Sequence, residues 1–267
     1  MTSCRERGEH PFSALSFPSL FTWRESYKLT VAGDGDFFAV RSGQDGGVFC
    51  PCGDEDKCRA FLDSLDPGTK VLYLTREQAE TLGARGWTVR HRPDLSEYVV
   101  STAAEALRQG HISKSYRDKC RHFKTKYPYS ARPVTPADLP ALRREFLGRW
   151  EGSTDRHVIS QSVLRSALEE FEALGLQGVL LETWEGERVF LLGFAISPDM
   201  FTAAVTGHVP LLPPESTTVA VHELARLLDG KYEYMNLEED LGIEGLRRAK
   251  ELYSPVMRLE VYEAVKP

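Results

Sequence analysis

Apolar and polar positions change period repeatedly along the chain, and each change marks an element. "YKLTVAG", "FFAVRSG" and "GVFCPCG" carry β-branched and aromatic residues between Gly/Asp turns and predict three strands in quick succession. "DKCRAFLDSL" sets Cys58, Phe61, Leu62 and Leu65 at helical spacing and stops at Pro67-Gly68. "TKVLYLT" predicts a buried strand, "REQAETLGARG" a helix closed by glycine, and "WTVRHR" and "SEYVVS" two more strand pieces. Ahead of these, the aromatic-rich "SFPSLFTWRESY" predicts a short helix or turn packed on a core.

A similar order starts again at "SARPVT", a strand. "PADLPALRREFLGRWEG" follows as a helix with Pro136 near its first turn, and "SQSVLRSALEEFEALGL" as a helix opened by Ser160 and closed near Gly175. "GVLLETWEG", "RVFLLGFAIS" and "FTAAVTGHV" predict three strands. A helix "TTVAVHELARLLDG", a strand "YEYMNLE", a helix "GLRRAKELY" and one closing strand "VMRLEVYEAV" complete the chain. The predicted class is α+β, with two halves of mixed, mostly antiparallel sheet and flanking helices. The expected domains are residues 1–110 and 131–267, joined by a basic helix at 111–130, since no low-complexity linker separates them.

That linking stretch, "HISKSYRDKCRHFKTKY", shows two stripes. Ile112, Tyr116, Cys120, Phe123 and Tyr127 form an apolar one, and Lys114, Arg117, Arg121 and Lys124 a cationic one. Lys119 and Lys126 add charge and Asp118 opposes it. The whole chain has a formal net charge of -6, so positive charge is concentrated here. Either this is a solvated surface face, or it is a surface for phosphates. No exposed aromatic residues interleave with the cations to make a base-stacking platform.

The opposite charge gathers in "YMNLEEDLGIEGLRRAKELYSP", residues 234–255. Glu238, Glu239 and Asp240 stand where a strand hands over to a helix, a place where ligands commonly sit in α/β sheets. Capping and the helix dipole account for one or two acids, at about 0.3–1 kcal/mol each. Three in a row exceed that need. Leu246, Lys250 and Tyr253 share a helix face, so Lys250 either snorkels or pairs with a buried acid or a phosphate. Thr206 and His208, at a strand end, are candidates to line a cleft, although a lone histidine there is often structural. His222 and Glu223 lack a second ligand at zinc-binding spacing. No nucleophile elbow, P-loop or dinucleotide fingerprint occurs.

Five cysteines, an odd number in a long chain, argue against a disulfide framework. Cys50-Pro-Cys52 with Cys58 lacks the usual knuckle spacing, so no metal is expected. Buried or free thiols suit a reducing cytosol, and a cytoplasmic location is expected. The N-terminus shows no apolar signal segment, and no transmembrane segment is expected.

"SFPSLFTWRESY", "GHISKSYRDKCRHFKTKYPY" and "NLEEDLGIEGLRRAKELYSPV" together resemble a bacterial family of unknown function similar to the C-terminal domain of phosphatidylglycerol lysyltransferases. The resemblance implies two tandem GNAT-like acyltransferase folds. It also implies transfer of an aminoacyl group from aminoacyl-tRNA to an amine or hydroxyl acceptor on a small molecule, peptide or lipid. The donor is then a co-substrate and no resident cofactor is required. On this reading Glu239, Asp240, Lys250 and Tyr253 are the catalytic candidates. Asn236, Glu238, Lys114, Arg117, Arg121, Lys124, Thr206 and His208 are the substrate-binding candidates, and tRNA is the expected partner. The cationic and acidic stretches must then border one cavity. Two departures stand out: Leu237 occupies the place of the family's arginine, and "AAVTGHVPLLPPES" replaces a His/Glu/Lys-rich strand and a Gly-Tyr turn. An acyl-CoA donor is the alternative, though "HVPLLPPESTT" has three prolines and no glycine with which to cradle a pyrophosphate. A binding module that kept the fold without the chemistry is the other.

Overall fold

The alternating periods assemble into two sheets. The computed structural model describes residues 10–108, 114–147, 161–208 and 211–267; Ile112 and Ser160, named above, lie outside them. The chain forms two units. The first comprises Met1–Glu97, Glu239–Ile243 and Arg258–Pro267, and the second Tyr98–Glu238 and Glu244–Met257.

In the first unit, β1 (Thr30–Gly33), β2 (Phe37–Arg41), β3 (Val48–Gly53), β4 (Lys70–Leu74), β5 (Thr88–His91) and β13 (Tyr262–Val265) make one sheet. Its order is β1-β2-β3-β4-β13-β5. β3 and β4 run parallel and the other neighbours antiparallel. The aromatic opening folds back as a 3-10 turn, Ser13–Leu15, and helix α1 (Phe17–Trp23), whose first turn is capped by the Ser16 hydroxyl. Phe12, Leu15 and Leu20 then bury against Phe38, Phe49, Leu72 and Val261. Helices α2 (Glu55–Ser64) and α3 (Arg76–Ala84) start on Asp54 and on a Thr75/Gln78 capping box.

The segment read as a single closing strand is two strands in different sheets, β12 (Met257–Leu259) and β13. The alternation of apolar residues continues through the break, so the pattern hides it. The break is made by hydrogen bonds: Arg92 N–H donates to the Val261 carbonyl at 2.8 Å, and Val261 N–H to the Ser96 hydroxyl at 3.1 Å.

The second unit is built on β6 (Glu97–Ser101), β7 (Tyr129–Pro133), β8 (Gln177–Thr183), β9 (Arg188–Ala195), β10 (Met200–Gly207) and β11 (Tyr234–Asn236), in the sheet order β12-β6-β11-β10-β9-β8-β7. β10 and β11 are parallel, but they pair only over Met200–Thr202. β10 runs on to Gly207 while the chain after β11 stays with β6, through Leu237 N–H to the Tyr98 carbonyl at 2.8 Å. The sheet therefore opens along the end of β10. Helices α6 (Leu139–Phe146), α7 (Gln161–Glu169), α8 (Glu215–Leu228) and α9 (Glu244–Leu252) flank this sheet. α8 is buried along nearly its whole length, including Val219–Ala225 and Leu228. A helix that is apolar on most sides belongs in an interior.

Gly193 of β9 fixes how closely β10 approaches. A Cβ there would collide with the Thr202 carbonyl oxygen and the Phe201 ring. Gly193→Ala is expected to destabilise the second unit by about 1–3 kcal/mol, read as a lowered unfolding midpoint in calorimetry; an unchanged midpoint would contradict the packing described.

Candidate functional site

The basic stretch is helix α5 (Lys114–Lys126). Its apolar stripe turns inward, with Tyr116, Cys120 and Phe123 buried. Lys114, Lys119, Arg121, Lys124 and Lys126 are exposed and Arg117 is half-buried. The Arg121–Asp118 pair, 2.9 Å apart, is exposed and contributes little to stability. Lys114, Ser115, Asp118, Lys119, His122 and Glu215 line a shallow depression. Of the acidic stretch, the second-unit residues Asn236, Leu237 and Glu238 are not among its lining. Within the second unit, α5 and the signature helix α9 instead meet through aromatic rings. Tyr253, one residue beyond α9, packs edge-on against Tyr116, with ring centroids 5.3 Å apart.

The acidic stretch owes much of its polarity to turn formation. Asn236 is fully buried, and its Oδ1 accepts the Glu238 N–H at 2.7 Å. The Lys250 ammonium, also buried, donates to the Leu237 carbonyl. This bond is to a backbone carbonyl, which neither the snorkelling nor the acid or phosphate pairing expected for Lys250 had named. In the first unit, Asp240 is fully buried; its Oδ1 accepts Gly242 N–H at 2.8 Å and its carbonyl accepts Ile243 N–H at 2.9 Å. Glu238, Leu241 and Ser254 all take left-handed φ, at 62°, 54° and 54°. Such backbone in non-glycine residues costs on the order of 1 kcal/mol each and persists where the surroundings over-determine it. Glu238 and Glu239 are the half-buried acids of the three. Thr206 and His208 lie at the open end of β10, both half-buried. The His208 Nε2 contacts the Leu212 carbonyl at 3.0 Å, and burial lowers its pKa.

Behind the Tyr116–Tyr253 contact lies a polar cluster that the sequence did not reveal. It centres on Glu105 of α4 (Thr102–Leu107), a helix missed because six residues are too few to show a period. Its pattern is also inverted, since Thr102 and Glu105 are the buried positions. The Glu105 carboxyl is 1% exposed, and neither oxygen has a hydrogen bond of good geometry among the described residues. Burial pushes its pKa up to about 7, against the Tyr116 hydroxyl and the Arg108 guanidinium, which favour the ionised form. His222 of α8 donates its Nδ1–H to the Glu105 backbone carbonyl at 2.8 Å, which fixes its tautomer. Burial holds His222 neutral, with its pKa lowered to about 4. Next along α8, Glu223 accepts from the Tyr129 hydroxyl at 2.7 Å and from Arg226 at 2.8 Å. The Tyr253 hydroxyl has Thr218 as its hydrogen-bond partner, and burial raises its pKa and that of Tyr116. Burial also lifts the Cys120 thiol to about 11. A carboxyl that titrates near neutrality can accept or return a proton at physiological pH.

Residues 5–265 match the family described as phosphatidylglycerol lysyltransferase, C-terminal. The chain belongs to this family. A conserved protein of unknown function from Bacteroides thetaiotaomicron VPI-5482 is similar at 26% identity and TM-score 0.82, covering 100% of this chain and 98% of that one. The C-terminal domain of a putative lysylphosphatidylglycerol synthetase from Agrobacterium fabrum is similar at 14% identity and TM-score 0.68, over 99% and 92% of the two chains. L-PGS from Bacillus licheniformis is similar at 16% identity and TM-score 0.63, over 89% and 83%. The last two likenesses are of fold. No curated protein matches the chain. The phosphatidylglycerol lysyltransferase C-terminal family is acyltransferase-like. Among the described residues no group of His, Cys, Asp and Glu is placed to hold a metal ion, and no helix is long and apolar enough to cross a membrane.

The cluster makes a pH signature. The raised pKa of Glu105 means that its protonated form suits the fold, so its contribution is full below pH 4.5 and is lost as pH rises through about 7. The lowered pKa of His222 works the other way: its contribution is full above pH 6.5 and is lost as pH falls through about 4. Each is worth on the order of 3 kcal/mol, and between pH 4.5 and 6.5 the two slopes oppose. Urea unfolding of Glu105→Gln is expected to show stability rising with pH across that window, and of His222→Gln to show it falling. Parallel profiles for the two variants would contradict the assignment.

Proposed function

We propose that the chain transfers an aminoacyl group from aminoacyl-tRNA to an amine or hydroxyl acceptor. The observation that carries the reading is the docking of the cationic helix on the signature helix through Tyr116 and Tyr253, beside Glu105, inside one unit of the family's fold. The reaction is attack of the acceptor on an activated ester carbonyl. It needs an oriented pair, a proton acceptor and an oxyanion partner. Lys114, Arg117, Arg121 and Lys124 supply charge for the RNA phosphates. Glu238 and Glu239 are the partly exposed carboxylates suited to the donor's ammonium. Asn236 and Lys250 hold the backbone at Leu237 and Glu238. Tyr253 orients the donor and Glu105 is the group best poised to take a proton. Thr206 and His208, on the open edge of β10, face the acceptor side.

A second reading, a binding module without transfer activity, is favoured by one observation: Leu237 occupies the arginine position of the signature and is buried. An assay separates the two. Band-shift with charged and uncharged tRNA is expected to give salt-dependent binding, with the slope reduced in Lys114→Glu/Arg117→Glu. Transfer of a labelled amino acid to phosphatidylglycerol or to a small amine should fall at least tenfold in Tyr253→Phe if that hydroxyl takes part. Binding without transfer to any acceptor selects the module, and no binding at low salt contradicts both RNA-dependent readings.

A further inference from the structure

A feature absent from the linear pattern of the basic helix appears when β7 and β8 pair. Tyr129 stands opposite Thr183 in that antiparallel ladder, and the next hydrogen bond runs from Trp184 N–H to the Pro128 carbonyl at 3.1 Å. Pro128 directly follows the last turn of α5, so the β8–β9 hairpin tip is fastened to the C-terminal end of the cationic helix. Trp184 is 83% exposed, the most exposed large apolar side chain among the described residues. Tyr127, half-buried, stacks on Phe123 with ring centroids 5.1 Å apart and carries the Lys126 ammonium 5.3 Å above its ring. Lys124 and Lys126 are exposed on the same turn. The acids of the tip are Glu185, which is exposed, and Glu187, which accepts from the Thr183 hydroxyl. Asp118 is engaged by Arg121 further up the helix.

We propose that Trp184, with Tyr127 and the Lys124/Lys126 pair, forms a stacking platform for unpaired RNA nucleotides at the C-terminal end of α5. The inference rests on the aminoacyl-tRNA reading and extends it from charge attraction to base contact. A cationic track beside an exposed aromatic face is the combination that binds single strands, because each base offers a π-face and each linkage a phosphate. The cations alone would bind any polyanion. The indole adds a partner that a free phosphate cannot satisfy. The hairpin's own hydrogen bonds, Thr183 N–H to the Glu187 carbonyl at 2.9 Å and Gly186 N–H to the Thr183 carbonyl at 3.0 Å, hold the tip in one conformation. The backbone that carries the ring is therefore ordered before binding.

The test uses the whole chain and a fluorescein-labelled single-stranded ribo-oligonucleotide of about ten nucleotides, a length within the usual range for one single-strand site. Wild type, Trp184→Ala, Trp184→Phe and Lys124→Gln/Lys126→Gln are titrated by fluorescence anisotropy at two salt concentrations, alongside vesicles of phosphatidylglycerol and of phosphatidylcholine. Trp184→Ala is expected to weaken RNA binding by roughly 5- to 100-fold, the loss of one base–aromatic stack, with no change in melting temperature. Trp184→Phe should keep most of the affinity, and the lysine variant should lower the salt slope with the stack intact. Trp184→Ala binding within twofold of wild type overturns the platform while leaving RNA binding through α5 standing. Absence of RNA binding by wild type overturns both. Binding of anionic vesicles in place of RNA, lost in Trp184→Ala, reassigns the patch to a lipid surface and also overturns the proposal.

Discussion

A carboxylate removed from water without a full set of hydrogen bonds is expensive, and the second unit is arranged around one. Glu105 sits where α4, α5 and α8 converge, with the Tyr253 ring arriving from the signature helix. The cost is lowered by taking up a proton, by the Tyr116 hydroxyl and by Arg108. The same constraint orders its neighbours. His222 is held neutral in one tautomer by the Glu105 carbonyl, and Tyr116 is fixed for its contact with Tyr253. The cationic face of α5 is thereby oriented outward, because its apolar stripe is committed to this interior.

The acidic signature answers a different need. Three consecutive acids suggest a ligand, yet Asp240 accepts a turn N–H, and Asn236 and Lys250 bond to backbone groups. These bonds support left-handed backbone at Glu238 and Leu241 that ordinary residues avoid.

Most elements were legible because their apolar periods are long. The two stripes of α5, the capped helices α2 and α3 and the strands β8 to β10 follow directly from spacing. α4 was not legible: six residues carry no period, and its inward positions are Thr102 and Glu105, the reverse of the usual pattern. The division of the last strand was hidden because alternation runs unbroken across it. Of the candidate site, the inward face of the basic helix and the helical spacing that leads to Tyr253 could be read from the chain. Glu105 and Trp184 could not, since one gains its character from burial and the other from a strand pairing that brings residue 184 beside residue 128. A glutamate in a short Ala-rich stretch and a tryptophan before Glu-Gly look ordinary in one dimension.

The most direct measurement is the carboxyl titration of Glu105 by carbon-13 NMR, assigned by difference from Glu105→Gln. Its midpoint is expected near 7. A midpoint near the ordinary value of 4.5 would mean that water reaches this carboxylate, and that it is not the buried centre on which the helices are organised.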